Sequence, residues 1–267
     1  MKEIRLDDLR KIQINILNLV VQFCEEKGLE YFLTGGTLIG AIRHKGYIPW
    51  DDDIDISLLR KDYDRFISEF NGFSKDYKVI NHDNTTNYPF PYAKVMFKDT
   101  ILIEPGIDPS LALGVNIDVF PIDKAPKAKN ELNRILRRIK INRGILNVKL
   151  IKWDQERPFY KNLILYILKV IFVGKNVNKV AKNITKIALS NRNNESNKAG
   201  ILVWGYGQCE VVDSSIFKDT EKKIFEGKYY NVPSGYHKWL TSIYGDYMSL
   251  PPIEKQVSHH DFIAYWK

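Results

Sequence analysis

A run of aspartates directly ahead of alternating isoleucines is the feature that most constrains this chain. Residues 47–58 read YIPWDDDIDISL, so four carboxylates lie within five positions. Carboxylates this close repel one another unless a cation lies between them, and a divalent ion is the simplest candidate. On a β-strand Asp53 and Asp55 lie on one face and Ile54 and Ile56 on the other. The pattern predicts a strand that is buried on one side and carries a metal site on the other.

Length, charge and cysteine content narrow the class of protein. A chain of 267 residues can bury one large core, with or without an insertion. Its 40 basic and 32 acidic residues give a net charge of +8, which suits an anionic partner without choosing among nucleotide, nucleic acid and membrane surface. The two cysteines have no metal-binding spacing, and the charged N-terminus lacks an apolar signal core. We therefore expect a cytoplasmic protein.

The first 120 residues alternate helical and strand patterns. An apolar stripe predicts a helix that ends at Gly28, and Tyr31–Thr34 reads as a short strand. The glycine pair Gly35-Gly36 follows as a turn before a short helix at 37–43. Further predictions are a helix at 61–70 and strands near 77–80, 92–97, 100–104 and 115–120. This order predicts an α/β (α+β) fold with a mixed sheet and flanking helices.

Composition divides the chain into three predicted parts. Residues 1–125 form the predicted catalytic core. After Pro126 the helical patterns become basic and apolar, so 126–199 is predicted to be a helical insertion. Residues 200–267 are rich in aromatic and turn residues and are predicted to pack back on the core.

The glycine pair, the paired aspartates and one distal aspartate form a single constellation. Gly35, Gly36 and Thr37 would let a diphosphate approach the backbone closely, while Asp53 and Asp55 would hold magnesium against its oxygens. The strand pattern VNIDVFP supplies a third carboxylate, Asp118, on the same face as Asn116 and Phe120. This layout resembles the nucleotidyltransferase superfamily.

The longer run FLTGGTLIGAIRHKGYIPWDDDIDIS resembles the signature block of the LicD family of phosphotransferases, and YGDYMSLPP followed by His259 and His260 is also similar to that family. The resemblance implies transfer of a phospho-alcohol from a CDP-activated donor to a sugar hydroxyl, with release of CMP. It most often implies phosphocholine from CDP-choline and a bacterial cell-surface glycan acceptor, of the teichoic acid or lipopolysaccharide type. The resemblance also favours Asp51 as part of the site and implies that the acceptor is carried on a membrane lipid.

The candidate site residues fall into three groups. The metal ligands are Asp51, Asp53, Asp55 and Asp118, the last three also being the catalytic candidates, and the ion is one or two Mg²⁺, with Mn²⁺ as a substitute. The phosphate-binding candidates are Gly35, Gly36, Thr37, Arg43, His44 and Lys94, although Arg43 and His44 also suit a solvated helix end. Tyr47 and Trp50 flank the acidic loop and are the candidates for holding choline, a quaternary ammonium, against aromatic faces.

Other functions remain open at this point. CDP-ribitol or CDP-glycerol could replace CDP-choline, and the same aspartates would serve a conventional nucleotidyltransferase that uses an NTP and releases pyrophosphate. A nucleic-acid partner is not expected, because no aromatic-basic recognition motif is visible.

The segment 159–180 has two interpretations. It begins FYKNLILYILKVIFV and is flanked or interrupted by Lys152, Lys161, Lys169, Lys175 and Lys179. Either it lies as an apolar helix in the interface of an anionic membrane, or it is a core helix whose lysines reach out to water. Serine in place of Leu165, Ile167 and Leu168 would separate the two.

Overall fold

The computed structural model describes residues 1–104, 107, 109–151, 157–191, 195–257 and 262–267. Its helices are α1 (Leu6–Lys27), α2 (Gly35–Ile39), α3 (Arg60–Glu69), α4 (Lys129–Leu150), α5 (Phe159–Ile171), α6 (Val177–Ala188) and α7 (Tyr236–Tyr244). Its strands are β1 (Lys2–Glu3), β2 (Tyr31–Leu33), β3 (Asp55–Leu59), β4 (Tyr77–Ile80), β5 (Ala93–Phe97), β6 (Thr100–Ile103), β7 (Asn116–Ala125), β8 (Lys198–Gly200), β9 (Val212–Asp213), β10 (Thr220–Phe225), β11 (Lys228–Pro233) and β12 (Ile263–Trp266).

A seven-stranded mixed sheet organises the protein. Five strands follow the order β2-β3-β7-β5-β4, while β8 pairs with the far end of β7 and β9 pairs with β8. The pairing of β3 with β7 is parallel and the other pairings are antiparallel. Helices α1 and α3 pack on this sheet, so the predicted α/β class with flanking helices is confirmed.

Most predicted elements of the first 120 residues are confirmed. Helix α1 ends at Gly28, whose φ of 62° is the left-handed conformation that glycine adopts readily. The predicted short helix begins earlier than expected, at Gly35, and continues as one π-helical turn over Gly40–His44. The last predicted strand extends beyond 120 to Ala125, because its outer end gains β8 as a partner.

The region after residue 125 contributes both helices and strands. Helices α5 and α6 pack on α4, and the β10–β11 hairpin contacts β2. Strand β8 spans the predicted boundary between residues 199 and 200, and the three-part division of the chain stays a prediction. Within the described ranges, no helix is both long and apolar enough to cross a bilayer.

A buried ion pair fixes α3 against β7. The Arg60 guanidinium donates to both carboxylate oxygens of Asp123, at 2.7 and 2.9 Å. Both side chains are nearly inaccessible to solvent, so each charge depends on the other. The pair anchors β7, the strand that carries Asp118, to the start of α3.

Candidate active site

Strand pairing brings three charged side chains into one row. In the parallel register of β3 and β7, Asp55 lies opposite Asp118, and in the antiparallel register of β5 and β7, Lys94 lies opposite the same Asp118. Residues opposite one another on neighbouring strands project to the same face of a sheet. The row therefore joins two of the predicted catalytic aspartates to a predicted phosphate-binding lysine.

Lys94 forms a buried ion pair with Asp118. Its Nζ lies 2.5 Å from Asp118 Oδ1 and 3.2 Å from Asn116 Oδ1, and its exposed fraction is only 7 %. The rings of Phe90 and Tyr92 have their centroids 5.0 and 5.7 Å from this ammonium group. In this structure Lys94 therefore pairs with a carboxylate of the site. Its predicted contact with phosphate stays a prediction.

The aspartate loop delivers further carboxylates to the same region. Asp51, Asp53 and Asp55 are partly exposed, whereas Asp52 and Ile54 are buried, which is the alternation that the sequence predicts. Carboxylate oxygens of Asp51, Asp52 and Asp53 lie within 4.8 Å of one another. Such a group fits a divalent cation that prefers oxygen ligands. Strict strand alternation would point Asp52 away from Asp51 and Asp53, but strand β3 begins only at Asp55, so the alternation does not apply to this part of the loop.

The glycine pair makes room for two of these carboxylates. A Cβ atom at Gly35 would lie 2.7 Å from Asp55 Oδ2, and one at Gly36 would lie 2.5 Å from Asp51 Oδ2. Gly35 also has a φ of +56°. Thr37 accepts a hydrogen bond from the Asp55 backbone N–H through Oγ1 at 2.8 Å. The backbone at Gly35 and Gly36 thus lies close to carboxylates. Its predicted contact with phosphate stays a prediction.

Asp55 is surrounded by negative charge. Burial, followed by the neighbouring Asp53, Asp118 and Asp51, raises its pKa well above the ordinary carboxyl value, and Lys94 opposes this only in part. A carboxylate in such surroundings is stabilised when a cation binds beside it. The donor set and the electrostatics therefore both fit a divalent ion.

Two polar residues of α1 hold the loop in place. Arg10 donates through Nη2 to the carbonyl of Asp51 at 2.6 Å, and Gln13 donates through Nε2 to the carbonyl of Asp52 at 2.8 Å. Both contacts position the carboxylates without touching them. The i, i+3 spacing of two polar residues beside the apolar stripe of α1 is the sequence signal that could have found them.

Four other predicted residues, Arg43, His44, Tyr47 and Trp50, make contacts outside the cleft. Arg43 donates to the carbonyls of Tyr247 and Ser249 at 2.7 and 3.1 Å, and the ring of His44 lies near that of Trp50, with centroids 6.5 Å apart. Burial lowers the pKa of both Arg43 and His44. The hydroxyl of Tyr47 donates to Gln13 Oε1 at 2.9 Å, and its side chain is buried.

These four residues do not line the cleft that opens beside the carboxylates, as far as the described residues define its walls. Their predicted contacts with phosphate and choline stay predictions. His259 and His260 lie outside the described residues.

The cleft beside the carboxylates has a volume of about 350 Å³. One wall holds Asp53, Asp55 and Asp118 with the glycine pair. Most of the rest of the lining, named the aromatic wall, was not predicted as a site and comes from distant parts of the chain, with aromatic, aliphatic and charged side chains: Tyr92, Phe120, Arg143, Ile201, Trp204, Tyr206, Glu210, Ile243 and Tyr244. The volume suits a ligand of nucleotide size rather than a single small ion.

The aromatic wall contains two ionisable side chains, Arg143 and Glu210. The Arg143 guanidinium lies 4.4 Å from the Trp204 ring centroid and donates to the Gly205 carbonyl at 3.0 Å. Glu210 is buried and accepts from the Tyr206 backbone N–H at 3.3 Å, and burial raises its pKa to about 7. The wall therefore offers a cation, a carboxyl group and several ring faces within one cleft.

Comparison with known proteins agrees with the layout of this site. The family described as "LicD/FKTN/FKRP, nucleotidyltransferase domain" matches residues 28–179. Lipopolysaccharide cholinephosphotransferase LicD of Haemophilus influenzae is 31 % identical over 99 % of this chain and 99 % of its own length. Human ribitol 5-phosphate transferase FKRP is 32 % identical over a stretch covering 31 % of this chain and 21 % of that protein. The glycine pair, the acidic loop and Asp118 all lie within the matched range, and the chain belongs to the LicD/FKTN/FKRP family.

Proposed function

We propose that this protein is a phosphotransferase acting on a cell-surface glycan, and that it transfers phosphocholine from CDP-choline to a sugar hydroxyl at the cytoplasmic face of the membrane. Full-length similarity to a lipopolysaccharide cholinephosphotransferase supports the reaction class. The observation that carries the proposal is the cleft itself, which is lined both by a row of carboxylates and by an aromatic wall that contains one buried carboxyl group.

The two walls suit the two ends of this donor. Asp51, Asp53, Asp55 and Asp118 would hold Mg²⁺, which when bound neutralises charge on the diphosphate oxygens. Arg143 carries five N–H groups, of which one donates to Gly205, and others could bind a phosphate oxygen. The trimethylammonium group of choline cannot donate a hydrogen bond and is held by ring faces and negative charge. The aromatic wall with Glu210 supplies both, whereas ribitol or glycerol would need neither.

In the proposed reaction the sugar hydroxyl attacks the choline-bearing phosphorus. A new P–O bond forms to the sugar, the bridging P–O bond to CMP breaks, and the hydroxyl proton passes to a carboxylate of the acidic row. Lys94 and Thr37 keep two of these carboxylates in fixed positions, through Asp118 Oδ1 and the Asp55 backbone N–H. Positioning and charge neutralisation supply most of the catalysis in phosphoryl transfer.

The product nucleotide tests the proposal. The protein is incubated with Mg²⁺, an acceptor glycan and, separately, CDP-choline, CDP-ribitol, CDP-glycerol and each NTP. We expect CMP from CDP-choline, with phosphocholine on the glycan. Consumption of CDP-ribitol or CDP-glycerol alone would replace the donor, and pyrophosphate release from an NTP would replace the reaction class.

Substitution Glu210→Gln tests the choline end of the cleft. The neutral side chain keeps an oxygen for the Tyr206 N–H but loses the negative charge, so we expect KM for CDP-choline to rise about tenfold. Donors with uncharged alcohols serve as the control, and their KM should stay unchanged. An equal rise for all donors would contradict a contact between Glu210 and choline.

The same variant has a predicted effect on stability. Because burial raises the pKa of Glu210 to about 7, ionising it costs stability as pH rises from the ordinary carboxyl range through that value. Without donor, the thermal midpoint of Glu210→Gln relative to wild type should therefore increase between about pH 5 and about pH 8. Parallel pH profiles of the two proteins would contradict the environment described for Glu210.

Substitution Gly36→Ala tests the close approach at the glycine pair. The added Cβ must displace the Asp51 carboxylate, since the two would lie 2.5 Å apart, and Gly36 has an ordinary φ that alanine tolerates. We expect magnesium affinity and transfer to fall about 10- to 100-fold with little change in thermal midpoint. Gly72→Ala is the matched control, because no atom lies within 4 Å of its added Cβ. Equal magnesium affinity and equal transfer in the two variants would contradict a role for the Asp51 carboxylate in binding the metal.

A further inference from the structure

Helix α5 exposes a broad apolar surface. Of its 13 residues only Asn162 and Leu165 are buried. The exposed apolar side chains of α5 and the turn after it, each at least 46 % accessible, are Phe159, Tyr160, Leu163, Ile164, Tyr166, Ile167, Val170, Ile171 and Val173. A helix on the surface of a globular protein normally turns polar residues outward. Helix α5 instead turns most of its apolar side chains toward solvent.

The exposed residues form a continuous face. Tyr160, Ile164, Ile167 and Ile171 recur at spacings of four, three and four, which aligns them along one side of the helix. Leu165 lies on the opposite side and packs inward. The core interpretation of the segment therefore applies to Leu165 but not to the four residues of the outer face.

The sequence of α5 and α6 carries charge of a single sign, although Lys182 pairs with Asp83 at 2.9 Å. Residues 157–191 contain no aspartate or glutamate, and their basic residues are Arg157, Lys161, Lys169, Lys175, Lys179, Lys182 and Lys186. Lys161 and Lys175 are exposed and lie near the two ends of the apolar face. An apolar stripe bordered by lysines is typical of helices that lie in the interface of anionic bilayers.

We propose that α5 is a membrane-docking helix, whose outer face inserts shallowly into an anionic lipid surface while the bordering lysines contact lipid head groups. A second copy of the chain is the other candidate for covering this face. Self-association would bring two segments with several basic and no acidic residues against each other, and like charges in contact oppose association. The charge therefore favours an anionic lipid surface.

Helix α5 is linked through α4 to the cleft that holds the candidate site. Lys149, near the end of α4, donates through Nζ to the carbonyls of Phe172 and Val173 at 3.3 and 3.2 Å, which ties the end of α5 to α4. Arg143 of the cleft wall lies six residues earlier on α4, about 9 Å along the helix axis. Docking through α5 would bring the cleft within reach of an acceptor carried on a lipid. Lipid binding itself does not depend on which donor the cleft accepts.

Vesicle sedimentation tests the proposal with the full chain. Wild type is mixed with phosphatidylcholine vesicles with and without phosphatidylglycerol. We expect it to pellet with the anionic vesicles and to be released when salt rises from about 0.1 to about 0.5 M. Ile164→Ser/Ile167→Ser/Ile171→Ser should reduce the bound fraction at least about tenfold. The matched control is Met248→Ser/Leu250→Ser/Ile253→Ser, three exposed apolar residues elsewhere, and it should bind as wild type does.

Four further readouts separate the outcomes. Circular dichroism and the thermal midpoint check that the triple variant folds, and if it does not, Lys161→Gln/Lys175→Gln takes its place and should weaken binding to anionic vesicles several-fold. Wild type that never pellets with anionic vesicles, or triple and control variants that bind alike, would overturn the proposal. The proposal would also be overturned if light scattering showed that wild type is a dimer and the triple variant a monomer, and if neither bound vesicles. Transfer to a soluble acceptor should be unchanged in the triple variant, so failure of docking and failure of the proposed chemistry are distinguishable.

Discussion

Asparagine in place of Asp53 or Asp55 is expected to lower transfer by about 10³-fold or more while leaving the fold intact. Each substitution removes one negative charge from the proposed metal site without changing the size of the side chain. The same change relieves repulsion, since Asp53, Asp118 and Asp51 all raise the pKa of Asp55. Without magnesium, the thermal midpoint of each variant should therefore equal or exceed that of wild type.

Steady-state kinetics over a magnesium series and thermal unfolding without metal provide the two measurements. Asp99→Asn is the matched control, because this exposed aspartate lies in the β5–β6 turn, away from the cleft, and its loss should change neither quantity. Near wild-type turnover in Asp53→Asn or Asp55→Asn at saturating magnesium would refute the assignment of these carboxylates. A large drop in the thermal midpoint would show that they serve the fold instead.

Methionine in place of Lys94 is expected to damage both stability and transfer. The ammonium group is buried against Phe90 and Tyr92 and lies 2.5 Å from Asp118 Oδ1. Methionine has a similar length but no charge, so Asp118 would lose the partner that compensates it. Breaking a buried ion pair from one side costs about 3–5 kcal/mol in the free energy of unfolding. Transfer should fall about 100-fold or more, because Asp118 would no longer be held beside Asp55.

A double variant separates the two effects of Lys94→Met. Adding Asp118→Asn removes the uncompensated charge, so Lys94→Met/Asp118→Asn should regain much of the lost stability in denaturant unfolding without regaining activity. Additive losses in the double variant would contradict the direct pairing of these two residues. Recovery of activity together with stability would show that neither charge takes part in the chemistry.

Local pattern predicts the burial of side chains along the acidic loop. The alternation of polar and apolar residues predicts that Asp51, Asp53 and Asp55 are more exposed than Ile54, and the burial of these residues agrees, although strand β3 begins only at Asp55. The pairing of β3 with β7, which places Asp55 beside Asp118, is a long-range contact between strands about 60 residues apart. The sequence of β3 or of β7 alone does not determine the register in which the two strands pair.

The aromatic wall shows what local pattern could not reveal. Arg143 lies on a basic helix and Glu210 in a turn-rich segment, and neither has a neighbour in sequence that marks it as part of a cleft. Tyr47 and Trp50 flank the aspartates in sequence, and their predicted contact with choline stays a prediction. The ring of Tyr47 packs against that of Phe225, with the two centroids 5.1 Å apart, and Tyr47 is not among the described residues that line the cleft. Adjacency along the chain does not determine which aromatic rings share a cavity.

Helix α5 illustrates a limit of apolar periodicity. Its residues are apolar on nearly every side, so the sequence does not distinguish buried positions from exposed ones. Serine at Leu165 would disturb packing against the protein, whereas serine at Ile164 changes only the outer face. The set of Leu165, Ile167 and Leu168 suggested by sequence thus mixes the two sides, and the outer face of Ile164, Ile167 and Ile171 gives the cleaner test.

Binding of Mn²⁺ tests the central claim most directly, namely that the carboxylates beside the glycine pair form a divalent-cation site. The free-ion signal in electron paramagnetic resonance is followed while wild type or Asp53→Asn/Asp55→Asn is titrated into Mn²⁺, with and without CDP-choline. We expect wild type to remove free Mn²⁺ from solution, more strongly when the donor is present, and excess Mg²⁺ to restore the signal. The double variant should leave the signal nearly unchanged under both conditions. Equal loss of free Mn²⁺ with wild type and double variant, or no loss with either, would contradict a metal site at these residues.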